Sequence, residues 1–115
     1  MRVRETGPWA SGYRLLWMLV MFDLPVVEAE ERHQATKFRH VLLDHGFAMA
    51  QYSVYYRILA GKEAAEAMTK HIAAAAPPKG HIQIVTLTDK QYANIVSLRG
   101  REYEPSPENE QLSLF

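Results

Sequence analysis

The chain has 115 residues, and its 13 Lys and Arg side chains balance 13 Asp and Glu side chains, so its formal net charge is zero. This length fits one domain with a single core, and an apolar share of 48% excludes a disordered chain. The absence of cysteine excludes disulfides, thiolate metal sites and cysteine nucleophiles, and fits a cytoplasmic location. The longest apolar run, Leu15 to Phe22, is far shorter than the roughly 20 residues of a membrane span, so no membrane association is expected.

The neutral sum hides an uneven distribution of charge. Residues 14 to 101 hold 11 Lys and Arg against 8 Asp and Glu, whereas residues 102 to 115 hold four Glu and no basic residue. The acidic tail therefore cancels a basic body. Neutrality does not exclude a nucleic-acid partner, because phosphate contact depends on local basic side chains rather than on the total charge.

The first predicted element is a strand. Residues 1 to 13 have no apolar period and indicate a flexible lead-in. The run from Leu15 to Phe22 is apolar on both faces, which favours a strand buried in the middle of a sheet. It stops at Asp23, and Pro25 prevents further ladder pairing.

A helical period follows from about Glu28 to Asp44. Gly46 stands where a C-terminal cap is expected, and acidic side chains crowd the first turns, where they suit the helix dipole. One apolar stripe faces the core: Ala35, Phe38, Val41 and Leu42.

Residues 47 to 58 are rich in aromatic and β-branched side chains and predict two short strands, or one bent strand, broken near residues 51 to 53. Their even positions are largely apolar. The odd positions include Gln51, Ser53 and Arg57, so they are expected to form the wetter face.

The second half of the chain repeats the helix and strand pattern. A second helix is predicted from Lys62 to about Ala76 and ends at Pro77-Pro78. A strand from His81 to Thr88 and a short last strand from Ile95 to Leu98 follow, and residues 102 to 115 indicate a disordered tail. The side chains expected to point inward are Ala65, Met68, Ile72, Ile82, Ile84 and Leu87.

This order predicts an α+β fold of the ferredoxin-like βαββαβ type, with one sheet covered by two helices and an extra short C-terminal strand. The domain is expected to span residues 14 to 101. One face of such a sheet stays uncovered, which favours a homodimer in which a second copy covers it.

Asp23 is the first candidate for chemistry, because it follows an apolar strand directly and lies at the edge of the sheet. One alternative is that Asp23 caps the next turn or helix. The other is that two copies across a dimer axis hold one hydrated Mg²⁺, which accepts one or two carboxylates plus waters.

Histidines give no further catalytic group. None of the pairs among the five histidines has the i, i+4 spacing with a glutamate that a helical zinc site shows, so they are expected to be solvated: His33, His40, His45, His71 and His81. Basic residues offer either phosphate contacts or an ordinary solvated surface, and the candidates for contact are Arg32, Lys37, Arg39, Arg57 and Lys79.

Three segments together resemble one known family. They are the strand ending in Phe22-Asp23-Leu24-Pro25, the helix closing at Asp44-His45-Gly46-Phe47, and the run Gln51-Tyr52-Ser53-Val54-Tyr55. They closely resemble the small CRISPR-associated endoribonucleases, the second core adaptation protein that works beside the spacer integrase. Further residues are similar to the branch found with type II systems: Met49, Arg57 and Pro77-Pro78-Lys79-Gly80.

The resemblance implies a ferredoxin-like homodimer in which the last short strand crosses to the partner's sheet. It implies that Asp23 is the catalytic and metal-binding acidic residue of a Mg²⁺-dependent endonuclease acting on RNA or DNA. It also implies that the dimer bridges integrase dimers and supports double-stranded protospacer DNA during spacer acquisition. Tyr55-Tyr56-Arg57 stand where many relatives carry a Phe and an acidic residue, a difference that concerns the nuclease more than the scaffold.

The resemblance leaves two alternatives of the same fold open. A toxin-type ribonuclease predicts growth arrest that depends on Asp23, and a regulatory ligand-binding module predicts a small-molecule pocket without DNA binding.

The last five residues resemble the bacterial sliding-clamp binding motif, through Gln111, Leu112, Leu114 and Phe115. These apolar anchors could dock in a preformed groove of the clamp. Alternatively, the tail adds a strand to its own dimer or binds the integrase.

Overall fold

A computed structural model describes residues 14 to 100 and the backbone of residues 102 to 104. The elements in chain order are β1 (Leu15–Asp23), α1 (Ala29–Asp44), β2 (Ala48–Gln51), β3 (Val54–Ala60), α2 (Lys62–Ala75), β4 (His81–Thr88), α3 (Asp89–Ala93), β5 (Ser97–Arg99) and β6 (Glu102–Glu104).

The first four strands form one antiparallel sheet in the order β2-β3-β1-β4. With the two crossing helices α1 and α2, this order is the ferredoxin-like βαββαβ arrangement, and it confirms the predicted fold class. The apolar strand β1 lies at the centre because it pairs with both β3 and β4. A central strand loses solvent on both faces, which is why its apolar run is unbroken.

The helices cover one face of this sheet. Alternate residues of β1 point toward them, and Met18 and Val20 are fully buried there. Phe38 and Leu42 of α1 complete this core together with Ile72 of α2. The predicted inner face of α2 is confirmed, since Ala65 and Met68 are also buried. The predicted stripe of α1 is confirmed for its buried members, which include Ala35, whereas Val41 is only half-buried.

The opposite face of the sheet carries apolar side chains as well, and among the described residues only α3 packs on it. Three cross-strand residue pairs between β1 and its neighbours β3 and β4 lie on this face: Leu19 with Tyr56, Leu19 with Val85, and Trp17 with Ile58. Leu15 and Ile58 are 41% and 45% exposed. We refer to the side chains at the odd-numbered positions of β1, which end with Asp23, together with the side chains paired with them, as the open face.

The predicted facing of β3 is wrong. Tyr55 and Leu59 are buried against the helices, and the half-buried Arg57 lies on the same side, whereas Tyr56 and Ile58 lie on the open face. Polarity could not distinguish the two sides of this strand, because both carry aromatic and aliphatic residues. The prediction that Leu87 of β4 points inward is also wrong, because Leu87 pairs with Trp17 on the open face.

The end of the domain also differs from expectation. The last predicted strand begins at Ser97 rather than Ile95, and it pairs with β6 across Gly100, whose φ is +64°. Residues Glu102–Glu104, expected in the tail, therefore form a strand. This hairpin is separate from the four-stranded sheet. The described helices include none with the length and apolar character that a membrane crossing requires.

Candidate functional site

Asp23 ends β1 at one margin of the open face, as the sequence predicts. Its cross-strand neighbour is His81, and the backbone N–H of Phe22 donates to the Ser53 carbonyl at 3.0 Å. Asp23, His81, Ser53 and Gln83 line a shallow depression of about 220 Å³. Within residues 14 to 100, no hydrogen bond or ion pair engages the exposed Asp23 carboxylate, so its oxygens can accept an outside partner.

The donor set around Asp23 fits a hard cation only in part. No group of three His, Cys, Asp or Glu among the described residues could hold a metal ion. Mg²⁺ is usually bound by one or two carboxylates, with water or substrate phosphate filling its other positions. A single chain supplies one carboxylate here, and Ser53 and Gln83, whose side chains also contain oxygen, line the same depression. The described residues would therefore need oxygen ligands from a phosphate or a second copy to complete a Mg²⁺ site.

The turn before β4 holds the end of β1 in place. Gly80 has a φ of +104°, and a Cβ added there would lie 2.9 Å from the Asp23 carbonyl oxygen and 2.6 Å from Leu24 Cδ2. Only a glycine permits this approach. No local sequence pattern indicates this contact of Gly80 with the candidate site, because the two segments lie far apart in the chain.

The far end of the open face is closed by α3, which sequence reasoning missed. The Trp17 ring stacks on Tyr92 with centroids 3.6 Å apart, and the Trp17 indole N–H donates to Asp89 at 2.6 Å. Burial raises the pKa of Tyr92 above its usual 10.0, and the electrostatic effect of the nearby Tyr56 is a smaller cause in the same direction. Thr88 and Gln91 form a capping box, and their Thr-x-x-Gln spacing is the signal that could have revealed the helix.

Arg57 is directed into the fold rather than toward solvent. Its guanidinium donates to the His45 carbonyl oxygen at 2.5 Å and lies against Gly46. It therefore holds the C-terminal end of α1 onto β3. A phosphate contact would compete with this hydrogen bond.

Arg32 and Lys79 both lie near the start of α1. Arg32 donates to the carbonyl oxygens of Val26 and Val27 at 3.2 and 2.7 Å, and Lys79 pairs with Glu31 at 3.7 Å. The neighbouring concavity of about 380 Å³ has three glutamates and apolar residues in its lining, a surface that repels phosphate: Leu24, Pro25, Glu28, Glu30, Glu31, Gln34, Ala35, Pro77, Pro78 and Lys79.

Lys37 and Arg39 remain the more available cations of α1. The Lys37 side chain is exposed, and no hydrogen bond or ion pair to it is found among the described residues. Arg39 donates to the Thr36 hydroxyl at 3.2 Å. The five predicted contacts thus do not form one cluster. The predicted tail contacts Gln111, Leu112, Leu114 and Phe115 lie outside the described residues and stay predictions.

Comparison with known proteins decides the family. The family model described as CRISPR associated protein Cas2 matches residues 16–95, which include Asp23 and all of the four-stranded sheet except Leu15. The chain belongs to the Cas2 family. This confirms the resemblance that the sequence motifs indicated.

Three relatives named CRISPR-associated endoribonuclease Cas2 span almost the whole described domain. The protein of Paracidovorax avenae is 43% identical over 91% of this chain and 98% of its own length. The Flavobacterium psychrophilum protein is 43% identical over 91% and 92%. The Parvibaculum lavamentivorans protein is 39% identical over 87% and 100%. The matches thus cover nearly the full length of all three relatives.

Proposed function

We propose that this chain is a CRISPR adaptation protein whose homodimer bridges integrase dimers and supports double-stranded DNA during spacer acquisition. We also propose that it carries a weak Mg²⁺-dependent endonuclease activity, on RNA or DNA, at Asp23. This proposal rests mainly on the Asp23 carboxylate, which lies at the margin of an apolar sheet face and has no hydrogen bond or ion pair within residues 14 to 100. The endoribonuclease names of the relatives support the activity.

The dimer follows from the open face. Its side chains would remain in water in a single chain, and soluble monomers rarely expose large contiguous apolar patches. A second copy can cover the patch by a two-fold interface, in which the same surface is used twice. Such packing would place the margin of one open face against its symmetry mate, and so bring in a second Asp23.

In the proposed activity, Asp23 would hold Mg²⁺ and the phosphodiester substrate would supply further oxygen ligands. Bound there, Mg²⁺ would neutralise charge on the phosphate and increase the acidity of a bound water. Asp23 orients that site because β1 and the Gly80 turn fix its backbone. The described residues of the depression include no second carboxylate to act as a general base, and for this reason we expect weak cleavage.

The scaffold role does not require recognition of the DNA bases. The exposed Lys37 and the half-buried Arg39 would contact backbone phosphates without regard to sequence, which gives salt-sensitive binding. Arg57 is not included among these contacts, because its guanidinium donates to the His45 carbonyl oxygen and so stabilises the fold.

The decisive test separates cleavage from integration. Asp23→Asn removes the charge and keeps the shape, and Asp44→Asn, at the exposed end of α1, is the matched control. We expect Asp23→Asn to lower Mg²⁺-dependent cleavage by at least about 100-fold, with integration by the purified integrase complex unchanged. Unchanged cleavage refutes the assignment of Asp23. Loss of integration by a variant that still dimerises and binds integrase refutes the scaffold role.

The dimer has its own test. Ile58 is 45% exposed on the open face and Leu43 is 49% exposed on α1, so a lysine is tolerated equally by the folded monomer at either position. Ile58→Lys should convert the dimer to a monomer in analytical ultracentrifugation, whereas Leu43→Lys should not. A dimer that survives Ile58→Lys would show that the open face is not the interface.

A further inference from the structure

Two histidines from different helices meet away from the elements that carry Asp23. His45 follows the last residue of α1, and His71 belongs to the last part of α2. Their ring centroids are 5.4 Å apart and the ring planes are inclined by 36°. His45 is half-buried and His71 is exposed, so the space beside the pair is open to solvent.

His45 is held rigidly by hydrogen bonds on both sides. Its backbone N–H donates to the carbonyl oxygens of Val41 and Leu42 at 3.0 and 3.1 Å, and its own carbonyl oxygen accepts from Arg57. The ring nitrogen Nδ1 lies 2.8 Å from the Val41 carbonyl oxygen. A ligand fixed in this way loses little conformational entropy when it binds an ion.

The hydrogen bond to Val41 also sets the tautomer of the neutral ring. A carbonyl oxygen can only accept, so Nδ1 of His45 must carry the hydrogen. The lone pair of the neutral imidazole then lies on Nε2. Metal-binding histidines characteristically donate their other ring N–H to a carbonyl or carboxylate in this manner.

The spacing of the rings suits a shared ion. Two imidazoles that bind one metal ion at about 2.0–2.1 Å with a near-tetrahedral angle have ring centres roughly 5–5.5 Å apart. The observed 5.4 Å lies in this range. No third His, Cys, Asp or Glu completes a cluster among the described residues, so water must fill the other positions.

We propose that His45 and His71 form a two-histidine site for a late first-row divalent ion, Cu²⁺, Ni²⁺ or Zn²⁺, which clips the end of α1 to α2. Imidazole nitrogen suits these ions, with Cu²⁺ binding most tightly, whereas Mg²⁺ prefers oxygen ligands. The site does not depend on the proposed nuclease or scaffold activity.

Titration of the untagged, chelator-stripped full chain with Ni²⁺ tests the site by calorimetry. We expect one site per chain that His71→Ala weakens by at least about tenfold, a loss that even an outer-shell change can cause. His33→Ala, an exposed histidine near the other end of α1, and Asp23→Asn should bind as the parent chain does. Because His71 is exposed, its replacement should leave the fold intact.

Two further readouts make the result specific. Saturating Ni²⁺ should raise the unfolding temperature of the parent chain and not that of His71→Ala, since only ligands of the folded state stabilise it. The electron paramagnetic resonance spectrum of bound Cu²⁺ should show two coupled nitrogens in the parent chain. Unchanged Ni²⁺ affinity in His71→Ala, or equal loss in His33→Ala, would overturn the proposal.

Discussion

Replacing Gly80 with alanine should reveal how tightly the candidate site is built. A methyl group there meets Leu24 Cδ2 at 2.6 Å and the Asp23 carbonyl oxygen at 2.9 Å, and the backbone φ of +104° is itself unfavourable for alanine. Gly100 is the matched control, because its φ is +64° while a Cβ there meets no described atom within 4 Å.

The two variants share one cost and differ in the other. Placing a Cβ at positive φ costs about 1–2 kcal/mol in each. Gly80→Ala adds the cost of overpacking, about 1–3 kcal/mol, because the Leu24 side chain can rotate away but the Asp23 backbone belongs to β1. We therefore expect Gly80→Ala to lose about 2–5 kcal/mol and Gly100→Ala about 1–2 kcal/mol.

Thermal unfolding at one protein concentration measures the difference. Each kcal/mol corresponds to about 4–8 °C in a domain of 60–100 residues, so Gly80→Ala should unfold clearly below Gly100→Ala. At a temperature where both are folded, only Gly80→Ala should also lose Mg²⁺-dependent cleavage, because the strand end that carries Asp23 must shift. Equal unfolding temperatures would refute the close approach of the two segments.

Two further predictions concern the ends of the fold. The backbone N–H groups of Glu28 and Val27 donate to the Glu31 carboxylate and, with a smaller contribution from Lys79, lower the pKa of Glu31 below its usual 4.5. The ionised Glu31 carboxylate therefore stabilises the folded state above pH 4.5, and this contribution is lost as the pH falls through the lowered pKa. In a plot of unfolding temperature against pH, Glu31→Gln should make the fall at acidic pH less steep. Burial raises the pKa of Tyr92 above 10.0; Trp17→Ala should return it toward 10.0 in an ultraviolet titration, and Trp17→Phe, which keeps a stacked ring, should not.

Sequence patterns predicted the elements well where one physical signal dominated. The unbroken apolar run of β1 indicated a central strand, and the stripe containing Phe38 and Leu42 indicated the inner face of α1, because burial on one side alone produces that period. The β2–β3 hairpin lies where the break was expected, at Tyr52 and Ser53.

The same signals failed on β3 because both of its sides are apolar. Tyr56 and Ile58 face away from the helices, and Arg57, the most polar residue of the strand, faces toward them. An alternation argument assumes that one side meets water, and a sheet face that stays apolar breaks this assumption. The contact of Arg57 with the His45 carbonyl oxygen joins residues twelve positions apart and depends on the hairpin geometry, which no local pattern encodes.

The alternation of β1 links the core, the open face and Asp23 in one strand. Met18 and Val20 fill the helix-covered core, whereas the neighbouring Leu19 and the residues at odd positions point the other way and lead to Asp23 at the margin. Because the side-chain period is two, a one-residue slip of β1 would bury the carboxylate side and expose the core side at once. The proposed metal site and the proposed dimer face therefore share the register that stabilises the fold. A variant that shifts this register should lose folding, dimerisation and cleavage together, whereas Asp23→Asn and Ile58→Lys separate them.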